Sequence, residues 1–284
     1  MHYLNLGCGN RFDPSWTNLN FTSTGEGVIP HDLTQGIPFP DESFDVVYHS
    51  HVLEHFPKAE AEPFIQECYR VLRPQGILRV VVPDLEQIAK IYLESLEQAI
   101  TGSQEWGNNY DWILLEMYDQ TVRNESGGEM IAYLFREYIP NGEFVIQRLG
   151  VEGKNLIESG HQHRQHLKSE SYSQSQRVPF IKKFYRFLRY PNYRQETLLK
   201  LVLGQEYKAL QIGRFRQSGE VHQWMYDRYS LSLLLKKCGF QNILQQTAAT
   251  SYIPNWTCFN LDTEPDGSVY KPDSMFLEAI KPSV

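Results

Sequence analysis

Tyr3-Leu4-Asn5-Leu6-Gly7-Cys8-Gly9-Asn10 is the stretch on which the fold turns. Tyr3, Leu4 and Leu6 read as a short buried strand, and the two glycines that follow let the backbone turn where a side chain would not be tolerated. A ligand can approach the main chain there. At the carboxyl end of a first parallel strand, such a turn marks the crevice of an open α/β sheet, where nucleotide-like cofactors bind.

Working outward, Trp16 to Phe21 alternates as a second strand. Only Asn10 to Ser15 lie between the two, too few for an ordinary crossover helix, so the first helix is vestigial or replaced by a loop. Val28 to Leu33 reads as a third strand ending in Asp32-Leu33, and Pro38 to Ser43 is rich in turn residues. Phe44-Asp45-Val46-Val47-Tyr48 has the apolar run of a strand buried on both faces, and it empties into His49 to His55. Phe64, Ile65, Cys68, Tyr69, Val71 and Leu72 keep helical spacing up to Arg73-Pro74-Gln75-Gly76, and Ile77 to Val82 is a fifth strand. From Leu85 to about Ser218 this rhythm gives way to helices and loops, with aromatic clusters and a polar stretch from Lys168 to Gln176. It resumes with a helix through Leu231 to Cys238, a strand from Phe240 to Gln246 and a last strand from Met275 to Ile280. The expected architecture is α/β: a Rossmann-like, doubly wound, mostly parallel sheet from residues 1–85 and 219–284, with a large, mainly helical insertion over 86–218 serving as lid and acceptor-binding region.

A chain of 284 residues, 41% hydrophobic and 21% charged, can bury a full core. No apolar run approaches the roughly 18 residues of a membrane span. The first strand begins so early that no room is left for a signal peptide, which points to the cytoplasm. Cys8, Cys68, Cys238 and Cys258 lack CxxC spacing, so neither a disulfide framework nor a cysteine zinc site is indicated. Although the net charge is -7, His161 to Glu220 carries 12 Lys/Arg against 4 Asp/Glu. Such a segment suits an anionic partner or an internal docking surface.

Asn5-Leu6-Gly7-Cys8-Gly9, His31-Asp32-Leu33, Phe39 to Val47, His51-Val52-Leu53-Glu54-His55 and Arg70 to Gly76 together resemble the class I S-adenosylmethionine-dependent methyltransferases, in particular the type-11-like bacterial group. The resemblance covers Leu4 to Asp84 and the helix from Ser230 to Phe240, and it leaves the insertion outside. It implies S-adenosylmethionine as cofactor. Gly7 and Gly9 would lie against its methionine and ribose, Asp32 would accept from the adenine amino group, and the Leu33 amide would donate to a ring nitrogen. Asn20 stands where relatives carry a ribose-binding acid, Asn5 where many carry another acid, and Asn10 where many carry a third glycine. With Cys8, Ser50 and His51, the expected cofactor-binding set is Asn5, Gly7, Cys8, Gly9, Asn20, Asp32, Leu33, Ser50 and His51. An amide gives a diol a weaker bond than a carboxylate does, so a non-catalytic binding protein on this scaffold is the alternative.

Other readings fare less well. A nicotinamide site would need a third glycine and an acid about 20 residues on. His51-x-x-Glu54-His55 matches a zinc-peptidase pattern, but that pattern needs a helix and a distant third ligand, and here it follows a strand and meets Pro57. No metal is expected. His161-x-His163-x-x-His166 reads as a solvated loop. Lys182, Lys183, Arg186, Arg189 and Arg194 interleave with Phe184, Tyr185, Phe187 and Tyr190, which suits nucleic acid, yet the same spacing makes an amphipathic helix packed on the main domain, and the chain's acidity argues against nucleic acid.

Two patches look more like an acceptor site: Asp119 to Glu129, around a Gly-Gly turn, and Gly219 to Asp227. The expected reaction is methyl transfer to a hydroxyl or amine of a small-molecule or glycan acceptor. A hydroxyl is a poor nucleophile at neutral pH, and imidazole is the side chain best poised to take its proton. His222 is accordingly the expected general base, with Glu220 or Asp119 orienting it and Arg123 and Tyr226 holding the acceptor.

Overall fold

The computed structural model describes residues 1–170 and 180–283, with side chains described outside 166–184. Seven strands form one sheet: β1 (Tyr3–Leu6), β2 (Thr17–Asn20), β3 (Val28–Pro30), β4 (Phe44–Ser50), β5 (Leu72–Pro83), β6 (Gln241–Gln246) and β7 (Ser274–Ile280). Their order is β3-β2-β1-β4-β5-β7-β6, and β7 alone runs against the others. The order reverses between β1 and β4, where Leu6 pairs with His49. The Gly7 turn and the end of β4 therefore open into the crevice expected of a doubly wound sheet.

The helices are α1 (Lys58–Val71), α2 (Leu85–Ile100), α3 (Gln104–Val122), α4 (Gly128–Leu134), α5 (Gly142–Glu170, kinked at Gly150), α6 (Phe180–Arg189), α7 (Pro191–Leu203), α8 (Glu206–Arg216) and α9 (Arg228–Lys237). On one face of the sheet, α1 sinks Phe64, Ile65, Cys68 and Val71, and α9 sinks Leu231 and Leu235, against Leu4, Leu6, Val47 and Leu78. The other face is covered by irregular chain, whose Ile253, Trp256 and Leu261 pack on Trp16, Tyr48 and Phe276. A third core of Trp112, Tyr133, Leu134, Val145 and Leu149 lies among α3, α4 and α5.

A loop does replace the first crossover helix, and three asparagines hold it. Asn5 Nδ2 donates to Asn18 Oδ1 (3.2 Å), Asn18 Nδ2 donates to the Asp13 and Trp16 carbonyls, and Asn20 Oδ1 accepts from the Gly9 N–H. In a buried polar ladder of this kind each amide satisfies a backbone group that a helix would have satisfied itself.

Three expectations are corrected. β3 stops at Pro30, because Asp32 caps a 3-10 turn over Leu33–Gln35 by accepting from the Thr34 N–H. β5 begins at Leu72 and not at Ile77. Among the described residues, the basic, aromatic helices bury no apolar face on the main domain. Among their described residues, α7 and α8 bury none, Arg186 lies over Tyr193 and Arg189 over Tyr185, and Arg216 of α8 donates to carbonyls at the end of α3. Of the polar stretch from Lys168 to Gln176, residues 171–176 lie outside the described residues, as do the side chains of His166, Lys168, Lys182, Lys183 and Phe184.

Candidate active site

Gly7 has φ +65°, and a Cβ placed there would collide with Val52 Cγ2. The glycine thus lets the β1 turn and the chain leaving β4 touch. Two cavities share it. One, of about 780 Å³, is lined by Asn20, Asp32, Leu33, His51 and His55. The other, of about 560 Å³, is lined by Asn5, Cys8, Gly9, Arg11 and Ser50. Every residue of the expected cofactor set therefore lines one cavity or the other. Some already have structural work: Asn20 bonds the Gly9 N–H and the Thr22 carbonyl, and Asn5 is buried against Asn18. Burial pushes the Cys8 thiol up, against a smaller pull from Thr24, and its side chain lines the cavity wall.

A third cavity, of about 170 Å³, lies under α3, α4 and α5 and is lined by His51, Glu116, Gln120, Arg123, Glu152 and Lys271. His51 is common to this cavity and the 780 Å³ one. It is also a backbone outlier, with φ +54° in a residue other than glycine. Its Nε2 lies 2.9 Å from Ser274 Oγ and its Nδ1 lies 3.1 Å from Glu54 Oε1. Strain held by contacts on both ring nitrogens is typical of a functional position.

The expected catalytic residues come together, but not in the expected pairing. Arg123 lies 3.3 Å from Glu220 and 3.8 Å from Asp119. Glu220 also accepts from the Gly127 N–H and Asp119 from the Glu129 N–H. Both acids face the arginine and the Gly127-Gly128 turn, Asp119 Oδ2 having no hydrogen-bond partner among the described residues. What faces His222 is Glu54, with Nε2 to Oε1 at 4.0 Å, and His55, whose ring is 4.7 Å away and perpendicular. Backbone bonds fix the approach: the His222 N–H donates to the Gln120 carbonyl, and the Gln223 and Trp224 N–H groups donate to the Glu54 carbonyl. Tyr226 is buried beside them, its hydroxyl pushed up to about 12 by burial and by the charge of Glu54.

Glu54 is fully buried in a 3-10 turn over Leu53–His55. Burial works against its ionisation, but the His51 hydrogen bond and the neighbouring His51, His222 and His55 hold its carboxyl down to about 2. Burial takes the His222 imidazole down to about 3 despite Glu54, and it lowers His55 too. At neutral pH the cluster is one carboxylate beside neutral His55 and His222. Sequence reasoning set Glu54 and His55 aside as part of the cofactor-side loop. The signal was the His-x-x-Glu-His spacing, discounted because no helix could array it. A single tight turn arrays Glu54 and His55, and the returning chain brings His222. Elsewhere, the run from His161 to His166 lies within helix α5 and not in a loop, with His161 tied to Arg164.

Residues 4–80 match the family model described as "Methyltransferase domain". A protein of Mycolicibacterium smegmatis named "Probable S-adenosylmethionine-dependent methyltransferase" is 41% identical over 56 residues, which is 20% of this chain and 21% of that protein. The match thus spans about a fifth of that relative's length. Among solved structures, a SAM-dependent methyltransferase from Archaeoglobus fulgidus is 10% identical, covering 99% of this chain and 86% of its own, at TM-score 0.38. Another from Thermotoga maritima is 11% identical, covering 99% and 82%, at TM-score 0.36. Likeness at that level carries no argument about function.

Proposed function

We infer from residues 4–80, a segment of the class I S-adenosylmethionine-dependent methyltransferase kind, that the whole chain is an S-adenosylmethionine-dependent methyltransferase. Its acceptor is a hydroxyl or amine of a small molecule or glycan. The observation that carries the reading is the meeting of three cavities at Gly7 and His51. Two of them flank the glycine turn and fit a long, jointed cofactor. The third fits the part of an acceptor that must reach it.

S-adenosylmethionine, once bound, supplies a methyl group on a positively charged sulfur. The chain's own residues do the rest. Asn20, Asp32 and Leu33 suit the ribose and adenine end, and the backbone at Gly7 and Gly9 suits the methionine end. Gln120 and Arg123 line the acceptor cavity, with Arg123 held in place by Asp119 and Glu220. Orientation supplies most of the rate in such a displacement, and a proton acceptor matters when the nucleophile is a hydroxyl or ammonium group. We assign that proton to the buried cluster of Glu54, His55 and His222 as a unit, and not to His222 alone. The acceptor cavity sets Glu116, Gln120, Arg123 and Glu152 against an apolar wall of Ile88, Met130 and Leu149, a mixture that suits the hydroxyls and ring face of a sugar.

Calorimetry with S-adenosylmethionine and S-adenosylhomocysteine tests the reading. Both are expected to bind one to one. Failure of either to bind at millimolar concentration would overturn it, and binding with no transfer to any sugar, phenol or amine offered would leave a binding protein on this scaffold.

A further inference from the structure

We propose that Glu54, His55 and His222 hold one divalent transition-metal ion beside the cofactor and acceptor cavities. Each residue offers one ligand atom, and the three atoms lie within 4.8 Å of one another. Ligands at about 2.0–2.2 Å from a shared ion are separated by roughly 3–4 Å, so a small rotation of buried side chains completes the shell.

The second observation is independent of that spacing. Both Glu54 oxygens, His55 Nδ1 and His222 Nδ1 are buried without a hydrogen-bond partner among the described residues, apart from the 3.1 Å approach of His51 Nδ1 to Glu54 Oε1. Buried polar atoms are nearly always paired, and an unpaired buried atom on each of the three residues is what a ligand set presents. The surroundings are those of a supported ligand set. His51 bridges Glu54 to Ser274, and the Glu54 carbonyl is clamped by Gln223 and Trp224. Such outer contacts fix the direction of ligating atoms.

Two imidazoles and one carboxylate suit Zn²⁺, Co²⁺, Fe²⁺ or Mn²⁺ in preference to Ca²⁺ or Mg²⁺, which prefer oxygen. Three protein ligands leave room for one more oxygen donor. His55 lines the 780 Å³ cavity, and His51 lines both that cavity and the acceptor cavity, so the donor can be an acceptor hydroxyl. A cation there would lower that hydroxyl's pKa toward neutrality, so that with the ion bound the proton leaves to water and the cluster serves as ligand set in place of proton acceptor. This use rests on the methyltransferase reading; the binding of the ion does not.

The experiment takes the full chain, stripped with a chelator, and titrates it by calorimetry with Co²⁺, Zn²⁺ and Mn²⁺, with Mg²⁺ and Ca²⁺ alongside. Visible absorption of the Co²⁺ form reports imidazole ligation. One equivalent of Co²⁺ or Zn²⁺ is expected, weakened at least about 100-fold by Glu54→Gln and by His222→Gln. Circular dichroism establishes that each variant is folded, and if one is not, the other decides. No stoichiometric ion at millimolar concentration, unchanged affinity in the folded variants, or a preference for Mg²⁺ or Ca²⁺ would each overturn the proposal. An ion that binds as expected to a chain with no affinity for S-adenosylhomocysteine would overturn the methyltransferase reading and leave the ion site standing.

Discussion

At Gly7 an added methyl meets Val52, whereas at Gly9, also left-handed, it meets open space. Gly7→Ala is therefore expected to cost about 1–3 kcal/mol of stability and to weaken S-adenosylhomocysteine binding at least about tenfold, with a smaller loss for Gly9→Ala. Urea unfolding and calorimetry on the two variants check the order. Asn20→Asp keeps an acceptor for the Gly9 N–H and adds the charge that favours a diol, so cofactor affinity is expected to hold or tighten in the same assay. His49 tests pH. Its ring is fully buried near Phe64, and burial, opposed by Glu54, takes it down to about 4 from 6.5. Between those values the unfolded chain binds a proton that the folded chain does not. Its contribution is thus whole above pH 6.5 and is lost as the pH falls toward 4, by about 1–2 kcal/mol between pH 7 and pH 5. With His222 and His55 adding in the same sense, urea midpoints at the two pH values should fall by at least this much, and His49→Leu should reduce the fall by that amount.

Among the elements, β5 carries the least expected residue. Arg79 sits in the run Ile77 to Val82 and is fully buried, 2.8 Å from Asp262 and 2.7 Å from Glu278 of the neighbouring β7, with Trp256 over its guanidinium. Arg79→Met strands two buried carboxylates, and we expect a loss of about 3–5 kcal/mol in urea unfolding. Arg79 also shows what a sequence conceals. The strands around Gly7 were legible because period and punctuation are local: an apolar run, then a glycine or an Asp-Leu pair. The whole expected cofactor set lies within the first 51 residues, where spacing along the chain and spacing in the crevice nearly coincide. The Glu54 cluster was not legible, because His222 reaches Glu54 only through backbone bonds from Gln223 and Trp224. Asp119 and Glu220 looked like partners for His222 by charge, yet Arg123 and the Gly127-Gly128 turn claim them.

Across the molecule, burial is uneven. The cores on either side of the sheet and among α3, α4 and α5 contrast with α7 and α8, where Leu201 is 80% and Val202 78% exposed. Amide exchange is expected to be slowest in β4, β5 and β7 and much faster in α7 and α8. Leu149→Ala, in the insertion core, is expected to cost about 2–4 kcal/mol, against under about 0.5 kcal/mol for Leu201→Ser, both by thermal or urea unfolding. The position of β7 sets a further condition. It is the last strand of the sheet in sequence, yet it lies between β5 and β6. On the ribosome β5 must wait, one edge unpaired, until everything from Leu85 to Asp273 has been made. A run such as Ile77 to Val82 would be a hazard in that interval, able to pair with another nascent chain. Arg79, whose partners arrive only with Asp262 and Glu278, keeps a hydrated charge in the middle of the waiting edge, acting as a gatekeeper that is neutralised only when the correct strand docks.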